Sequence, residues 1–151
     1  MTLVVPPSPS TIAKIEPGIV ARPSLSVIVA DDSVESQLTI RKWLEEIGHF
    51  VICVSGGHEA ARVISQRAVD IIIAEVIMPN GDGLELMAHV RKLGASVPMI
   101  AISGGGRYLA SSDCLRVARG FGAKAGVPKP LVRAELLAAI DQVIAGRRVL
   151  G

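Results

Sequence analysis

Five side chains of types that can do acid, metal or phosphoryl chemistry stand at the ends of short apolar runs in this 151-residue sequence. Asp31 and Asp32 follow "LSVIVA", Glu75 ends "DIIIAE", Ser103 ends "VPMIAIS" and Lys129 follows "KAGVP". Three carboxylates about 5 Å apart would repel by roughly 3 kcal/mol per pair, so such a group needs a cation or a proton. Mg²⁺, which prefers oxygen ligands, and the Lys129 ammonium are the candidates.

The segments that carry these side chains alternate between strand and helix patterns. Strands are predicted over 25–30, 50–54, 70–75, 97–103 and 124–128, and helices over 33–48, 57–67, 83–94, 107–122 and 131–146. This alternation predicts a doubly wound α/β domain over residues 25–148, with a parallel sheet covered on both faces. The carboxyl ends of its strands should form the ligand-binding edge.

The composition supports a folded domain and excludes several function classes. Hydrophobic residues make up 50% and charged residues 20%, which excludes a disordered chain, while 3% aromatics indicate an Ile, Val, Leu and Ala core. The net charge of +2 is too small to indicate nucleic acid, and no apolar run approaches a membrane span. Cys53 and Cys114 are interpreted as small buried hydrophobes, which indicates a reducing cytoplasm.

The first 24 residues differ from the rest and are predicted to form a flexible tail. They contain Pro6, Pro7, Pro9, Pro17 and Pro23 with interspersed serines. Proline lacks an amide donor and disfavours helix in the preceding residue, so regular structure is not expected there.

The motifs "VIVADDS", "DIIIAEVIMPNGDGLEL", "MIAISGGG" and "GAKAGVPKPL" resemble, in order and spacing, the receiver domain of two-component response regulators. The resemblance implies a flavodoxin-like fold with five parallel strands in the order 2-1-3-4-5. It further implies Mg²⁺ binding by Asp31, Asp32, the phosphoacceptor position and the backbone carbonyl of Ile77. The phosphoacceptor position falls on Glu75. The phosphoryl pocket would contain Ser103, Lys129 and Pro130.

Two positions depart from the family pattern. Glu75 stands where the family has aspartate, and its extra methylene carries the carboxylate about 1.5 Å farther. In-line phosphoryl transfer depends on positioning, and a displacement near 1 Å can cost on the order of 100-fold in rate. Gly126 stands where the family usually has an aromatic ring that moves on activation. We therefore expect an atypical receiver with little or no phosphorylation, Glu75 being either a phospho-mimic or a degenerate acceptor, and at most weak Mg²⁺ binding.

The expected role is that of a single-domain, non-enzymatic protein-interaction module of a phosphorelay, since the sequence ends about where the fifth helix does. The alternative is that the chain is a fragment of a longer protein. The partner would be a histidine kinase or another signalling protein, contacted by Arg107, Arg116 and Arg119, with the domain a monomer or weak homodimer. The sequence contains no arrangement of a nucleophile, a histidine and an acid that would indicate a hydrolase. Two alternatives stay open: a conventional phosphorylation- and Mg²⁺-dependent switch, and a flavin-like small-molecule binder of the same fold.

Overall fold

The computed structural model describes residues 23–94, 96–106 and 110–150, with the backbone alone for 148–150. Its strands are β1 Ser26–Ala30, β2 Phe50–Val54, β3 Ile71–Glu75, β4 Met99–Ser103 and β5 Ala125–Pro128. Its helices are α1 Val34–Glu45, α2 Gly57–Gln66, α3 Gly83–Lys92, α4 Ser111–Gly120 and α5 Arg133–Leu150. Most of the predicted tail, residues 1–22, and Arg107 lie outside the described residues.

The five strands form one parallel sheet in the order β2-β1-β3-β4-β5, which confirms the predicted fold class. β3 and β4 are buried along their whole length, as expected for central strands covered on both faces. One apolar core lies between the sheet and α2, α3 and α4, and includes Ile72 and Leu86. The other lies between the sheet and α1 and α5, and includes Ile73 and Leu136.

Several helix ends differ from the prediction, and the differences are largest in two places. α4 begins at Ser111, after an extended Ala110, whereas the predicted helix includes residue 110. α5 continues to Leu150, beyond Gly146, where the predicted helix ends. A glycine alone costs a helix interior only about 1 kcal/mol, so the neighbouring turns can carry the helix past it. Among the described residues, no helix is long and apolar enough to cross a membrane.

Candidate functional site

Lys129 joins two acidic side chains at the carboxyl end of the sheet. Its ammonium lies 2.8 Å from Oδ2 of Asp31 and 3.0 Å from Oε1 of Glu75. The exposed fractions of the three side chains are 19% for Lys129, 0% for Asp31 and 9% for Glu75. Residues that are far apart in the sequence therefore meet in a buried ion cluster, because parallel strands bring their carboxyl ends to one edge.

Hydrogen bonds hold both the backbone and the side chain of Asp31 in place. Its backbone N–H donates to the carbonyl of Val54 at 3.1 Å, which continues the β1–β2 pairing by one residue. Oδ1 accepts the N–H of Ser33 at 2.9 Å. Ser33 is the N-cap of α1, and its hydroxyl accepts the N–H of Ser36. The helix start and the acidic side chain are thus fixed by the same short turn.

Glu75 is the last residue of β3, and one of its carboxylate oxygens bonds to the backbone of the next residue. Oε2 accepts the N–H of Val76 at 2.8 Å, and Oε1 faces Lys129. The backbone beside it is closely packed, since a Cβ added at Gly83 would stand 2.7 Å from the carbonyl oxygen of Glu75. Glycine at the first position of α3 therefore allows this helix to approach the end of β3.

Lys129 is positioned by the end of β4. Its backbone N–H donates to the carbonyl of Ser103 at 2.8 Å, and a cis peptide bond joins it to the exposed Pro130. Burial lowers the pKa of the ammonium, but its hydrogen bonds to Asp31 and Glu75 outweigh that effect and raise the pKa above its ordinary value. Lys129 is therefore held in its charged form.

Ser103 is fully buried, and its hydroxyl oxygen accepts the N–H of Gly105 at 3.0 Å. This bond closes the turn after β4. A Cβ added at Gly104 would stand 3.5 Å from Cβ of Lys129, so the glycine turn lies against the lysine stem. Ser103 therefore reaches the cluster through backbone contacts to Lys129, with its hydroxyl engaged in its own turn.

The two other predicted metal ligands belong to exposed residues. Asp32 is exposed although its neighbour Asp31 is buried, and Ile77, whose backbone carbonyl is the predicted ligand, is 45% exposed. Ile77 packs toward the glycine turn, because a Cβ added at Gly106 would stand 2.6 Å from its Cδ1. The structure thus brings Asp31 and Glu75 together on Lys129, with Asp32 turned to solvent.

Carboxylate oxygens are the ligand type that Mg²⁺ prefers, but their arrangement here does not fit the ion. Every buried side-chain nitrogen and oxygen in the described part of the chain has a hydrogen-bond partner, so each buried carboxylate oxygen already has a donor from the protein. Within the same residues, no three side chains of the His, Cys, Asp and Glu types are grouped as a metal site requires.

Gly126 lies half-buried on β5, next to Leu115 of α4. A Cβ added there would stand 3.2 Å from Cβ of Leu115 and 3.3 Å from its Cδ2. Leu115 is buried and packs into the space beside the strand. A side chain at the position that the family usually gives to an aromatic ring would therefore press against a leucine from α4.

A sequence profile described as the response regulator receiver domain matches residues 27–141. This chain belongs to that family. The receiver is 28% identical over 131 residues to the sensory/regulatory protein RpfC of Xanthomonas campestris, covering 84% of this chain and 18% of that protein. It thus spans under a fifth of that relative. The receiver domain of a Francisella response regulator, 1452, superposes with a TM-score of 0.70 at 28% identity, covering 83% and 99% of the two chains.

Another solved neighbour is the receiver domain of the sensor histidine kinase PA1611 from Pseudomonas aeruginosa, described with a magnesium ion coordinated in its active-site cleft. Its TM-score is 0.66 at 23% identity, covering 80% of this receiver and 97% of that chain. At this identity the likeness shows the shared fold.

Sequence analysis missed Gln37, whose side-chain amide donates to the carbonyls of Asp31 and Val54. A single glutamine on an amphipathic helix carries no pattern that distinguishes it from a solvent-facing one. Its position in the first turn of α1, beside the ends of β1 and β2, becomes informative only once the pairing of these strands is known.

The predicted partner surface is partly described. Arg116 and Arg119 are exposed on α4, and Arg116 pairs with Asp113 at 2.9 Å. Between and beside them stand Val117, 40% exposed, and Phe121, 53% exposed. The α4 surface, formed by Arg116, Arg119, Val117 and Phe121, is therefore both cationic and apolar.

Proposed function

We propose that this receiver is an atypical, non-enzymatic module of phosphorelay signalling, which binds a protein partner and takes up little or no phosphoryl group at Glu75. The observation that carries the proposal is the state of the Glu75 carboxylate. One oxygen is paired with Lys129 and the other accepts a backbone N–H, and the side chain is 9% exposed. Phosphoryl transfer depends on how an acceptor oxygen is positioned in line with the donor phosphorus, and both oxygens of Glu75 are already engaged by groups of the protein.

The charge distribution supports the interpretation of Glu75 as a phospho-mimic over its interpretation as a degenerate acceptor. In a phosphorylated receiver the lysine would pair with the phosphoryl group, as the family resemblance implies for Lys129. Here the longer Glu75 side chain already supplies a negative partner to that ammonium at 3.0 Å. Because Gly126 has no ring and Leu115 fills its surroundings, the aromatic movement expected of the family has no counterpart at this position.

The partner proposed is a histidine kinase or another signalling protein, in line with the sensory/regulatory relative. The α4 surface suits an acidic partner that also presents an apolar side chain, since it combines arginines with Val117 and Phe121. We further propose that the domain is a monomer or weak homodimer, binds Mg²⁺ weakly at most, and works in the cytoplasm, where the free thiols of Cys53 and Cys114 stay reduced.

Two alternatives compete with this proposal. A conventional receiver switch would require Glu75 to leave Lys129 and attack the phosphodonor. A flavin-like binder would need backbone amides for a phosphate after β1, whereas this chain places Asp31 and Asp32 there. The family match favours signalling over the small-molecule alternative.

Intact-mass measurement after incubation with acetyl phosphate and Mg²⁺ tests the proposal. We expect no phosphoryl adduct on the wild type, and beryllofluoride binding only in Glu75→Asp, whose shorter side chain frees space beside Lys129. A Mg²⁺-dependent gain of one phosphoryl group in the wild type that disappears in Glu75→Gln would overturn the proposal in favour of the conventional switch.

A further inference from the structure

The ion cluster contains its own cation. The Lys129 ammonium lies between Asp31 and Glu75 at 2.8 and 3.0 Å, and each carboxylate engages it with one oxygen. The remaining oxygens accept the N–H groups of Ser33 and Val76 at 2.9 and 2.8 Å. All four carboxylate oxygens therefore have a donor from the protein itself.

We propose that Lys129 is the resident counter-ion of this site and takes the place that a divalent cation has in a Mg²⁺-dependent receiver. The inference deepens the proposed function and rests on it, because it names the group that keeps the acidic pocket assembled without metal or phosphoryl group. It implies that neither the stability of the fold nor the geometry of the cluster changes at Mg²⁺ concentrations that would saturate a Mg²⁺ site.

Competition between the two cations is the physical basis. Mg²⁺ demands near-octahedral oxygen ligands at about 2.0–2.1 Å and gives up its waters reluctantly. Mg²⁺ bound to Asp31 or Glu75 would share that carboxylate with Lys129, and the repulsion between the two cations opposes this. Withdrawal of Lys129 would relieve the repulsion but would leave a mostly buried ammonium with fewer partners. Asp32 is exposed and offers only a solvent-facing ligand. The ammonium is tethered to the chain, whereas Mg²⁺ must be taken from solution.

The reverse situation arises if the ammonium is removed. In Lys129→Met, Asp31 and Glu75 would face each other without a counter-charge, and a divalent cation would relieve their repulsion. Replacement of Lys129 by methionine should therefore create a dependence on Mg²⁺ that the wild type lacks. Lys124 is the matched control, because it is an exposed lysine just before the same strand, β5.

The test is Mg²⁺ titration of wild type, Lys129→Met and Lys124→Met, monitored by isothermal calorimetry and by thermal unfolding, with ionic strength held constant by NaCl. We expect the wild type and Lys124→Met to bind with Kd above about 10 mM and to keep their melting temperatures. Lys129→Met should bind at least about ten-fold more tightly and gain stability from Mg²⁺. Sub-millimolar binding by the wild type, or no gain in Lys129→Met, would overturn the inference.

If Lys129→Met does not fold, a second variant and a second measurement still test the inference. Lys129→Gln keeps a neutral donor for one carboxylate and should show the same tightening. In the wild type, the amide resonances of Ser33 and Val76, which report on the two carboxylates, should stay unchanged on adding Mg²⁺. Movement of both resonances with saturation below about 1 mM would contradict the inference.

The outcomes also separate this inference from the proposed function. A wild type that binds Mg²⁺ tightly but takes no phosphoryl group would refute the resident counter-ion alone. A wild type that is indifferent to Mg²⁺ in these titrations but is phosphorylated by acetyl phosphate would refute the proposed function alone.

Discussion

Gln37 on α1 donates its side-chain amide to the backbone carbonyl of Asp31 at 2.5 Å, and also to the carbonyl of Val54 at 3.2 Å. One glutamine thus bridges the ends of β1 and β2 where the acidic edge begins. The bridge fixes the peptide of Asp31 relative to α1, while Ser33 fixes its side chain. Gln37 is therefore a positioning residue for the Asp31–Lys129 pair.

Replacement of Gln37 by leucine should destabilise the domain by about 1–3 kcal/mol, because two strand-end carbonyls lose a donor that leucine cannot supply. Urea denaturation monitored by circular dichroism measures the change. Glu35→Gln, an exposed substitution on the same helix, should stay within about 0.5 kcal/mol of the wild type. Equal effects of the two substitutions would mean that the Gln37 bridge contributes nothing.

The charge of Lys129 should make stability depend on alkaline pH. The raised pKa means that the folded state holds this proton more tightly than the unfolded chain, whose lysine pKa is near 10.5. The contribution is thus complete below pH 10.5 and is lost as the pH rises through the higher folded pKa. At pH 8 Lys129→Met should be less stable by about 3 kcal/mol, since it leaves two acids without their partner.

Thermal unfolding of the wild type and Lys129→Met across this range checks the sign. The difference between their melting temperatures should be constant from neutral pH to about pH 10 and should shrink above it. A difference that grows with alkalinity would mean that the folded state does not favour the charged lysine.

The sequence predicts the fold and the main partners of the site for identifiable reasons. An unbroken apolar run such as "IIIA" suits a strand covered on both faces, and Glu75 at its end can reach only the carboxyl edge of a parallel sheet. Lys129 after β5 arrives at the same edge. These placements depend on strand direction and topology alone, so they need no side-chain detail.

The rest depends on orientations that a pattern leaves open. Asp31 and Asp32 are neighbours, and alternation along an extended chain implies that they point to opposite sides without saying which one is buried. The return of Oε2 of Glu75 to the N–H of Val76 is a rotamer choice. The predicted start of α4 is wrong because its N-cap, Ala110, has no capping side chain to mark it.

A pair of glycine-to-alanine substitutions tests how closely α3 approaches the end of β3. Gly83→Ala should destabilise the domain by about 1–3 kcal/mol, because its Cβ would stand 2.7 Å from the carbonyl oxygen of Glu75 and must push backbone. Gly146→Ala on α5 should instead stabilise it by about 0.5–1 kcal/mol, since nothing lies within 4 Å and alanine favours helix.

Denaturation midpoints at an unchanged m-value measure both effects. The two alanines should shift the midpoint in opposite directions. A Gly83→Ala protein as stable as the wild type would show that α3 can move away from Glu75 without cost.

The contact between Gly126 and Leu115 predicts the effect of restoring the aromatic ring of the family. Gly126→Phe should destabilise the domain by about 1–3 kcal/mol, because its Cβ would stand 3.2 Å from Cβ of Leu115 in a filled core. Leu115→Ala alone should cost about 2–5 kcal/mol by leaving a cavity. In the double variant the ring can occupy that cavity.

The two substitutions should therefore be non-additive, with the double variant more stable than the sum of the single effects by at least about 1 kcal/mol. Urea denaturation of the wild type, the two single variants and the double variant completes the cycle. In the control cycle, Val117→Ala replaces Leu115→Ala, because Val117 is an exposed residue on the same helix. The control cycle should be additive. If the Leu115 cycle is additive as well, Leu115 does not fill the space of the missing ring. The absence of an aromatic ring at position 126 would then need an explanation that does not involve α4.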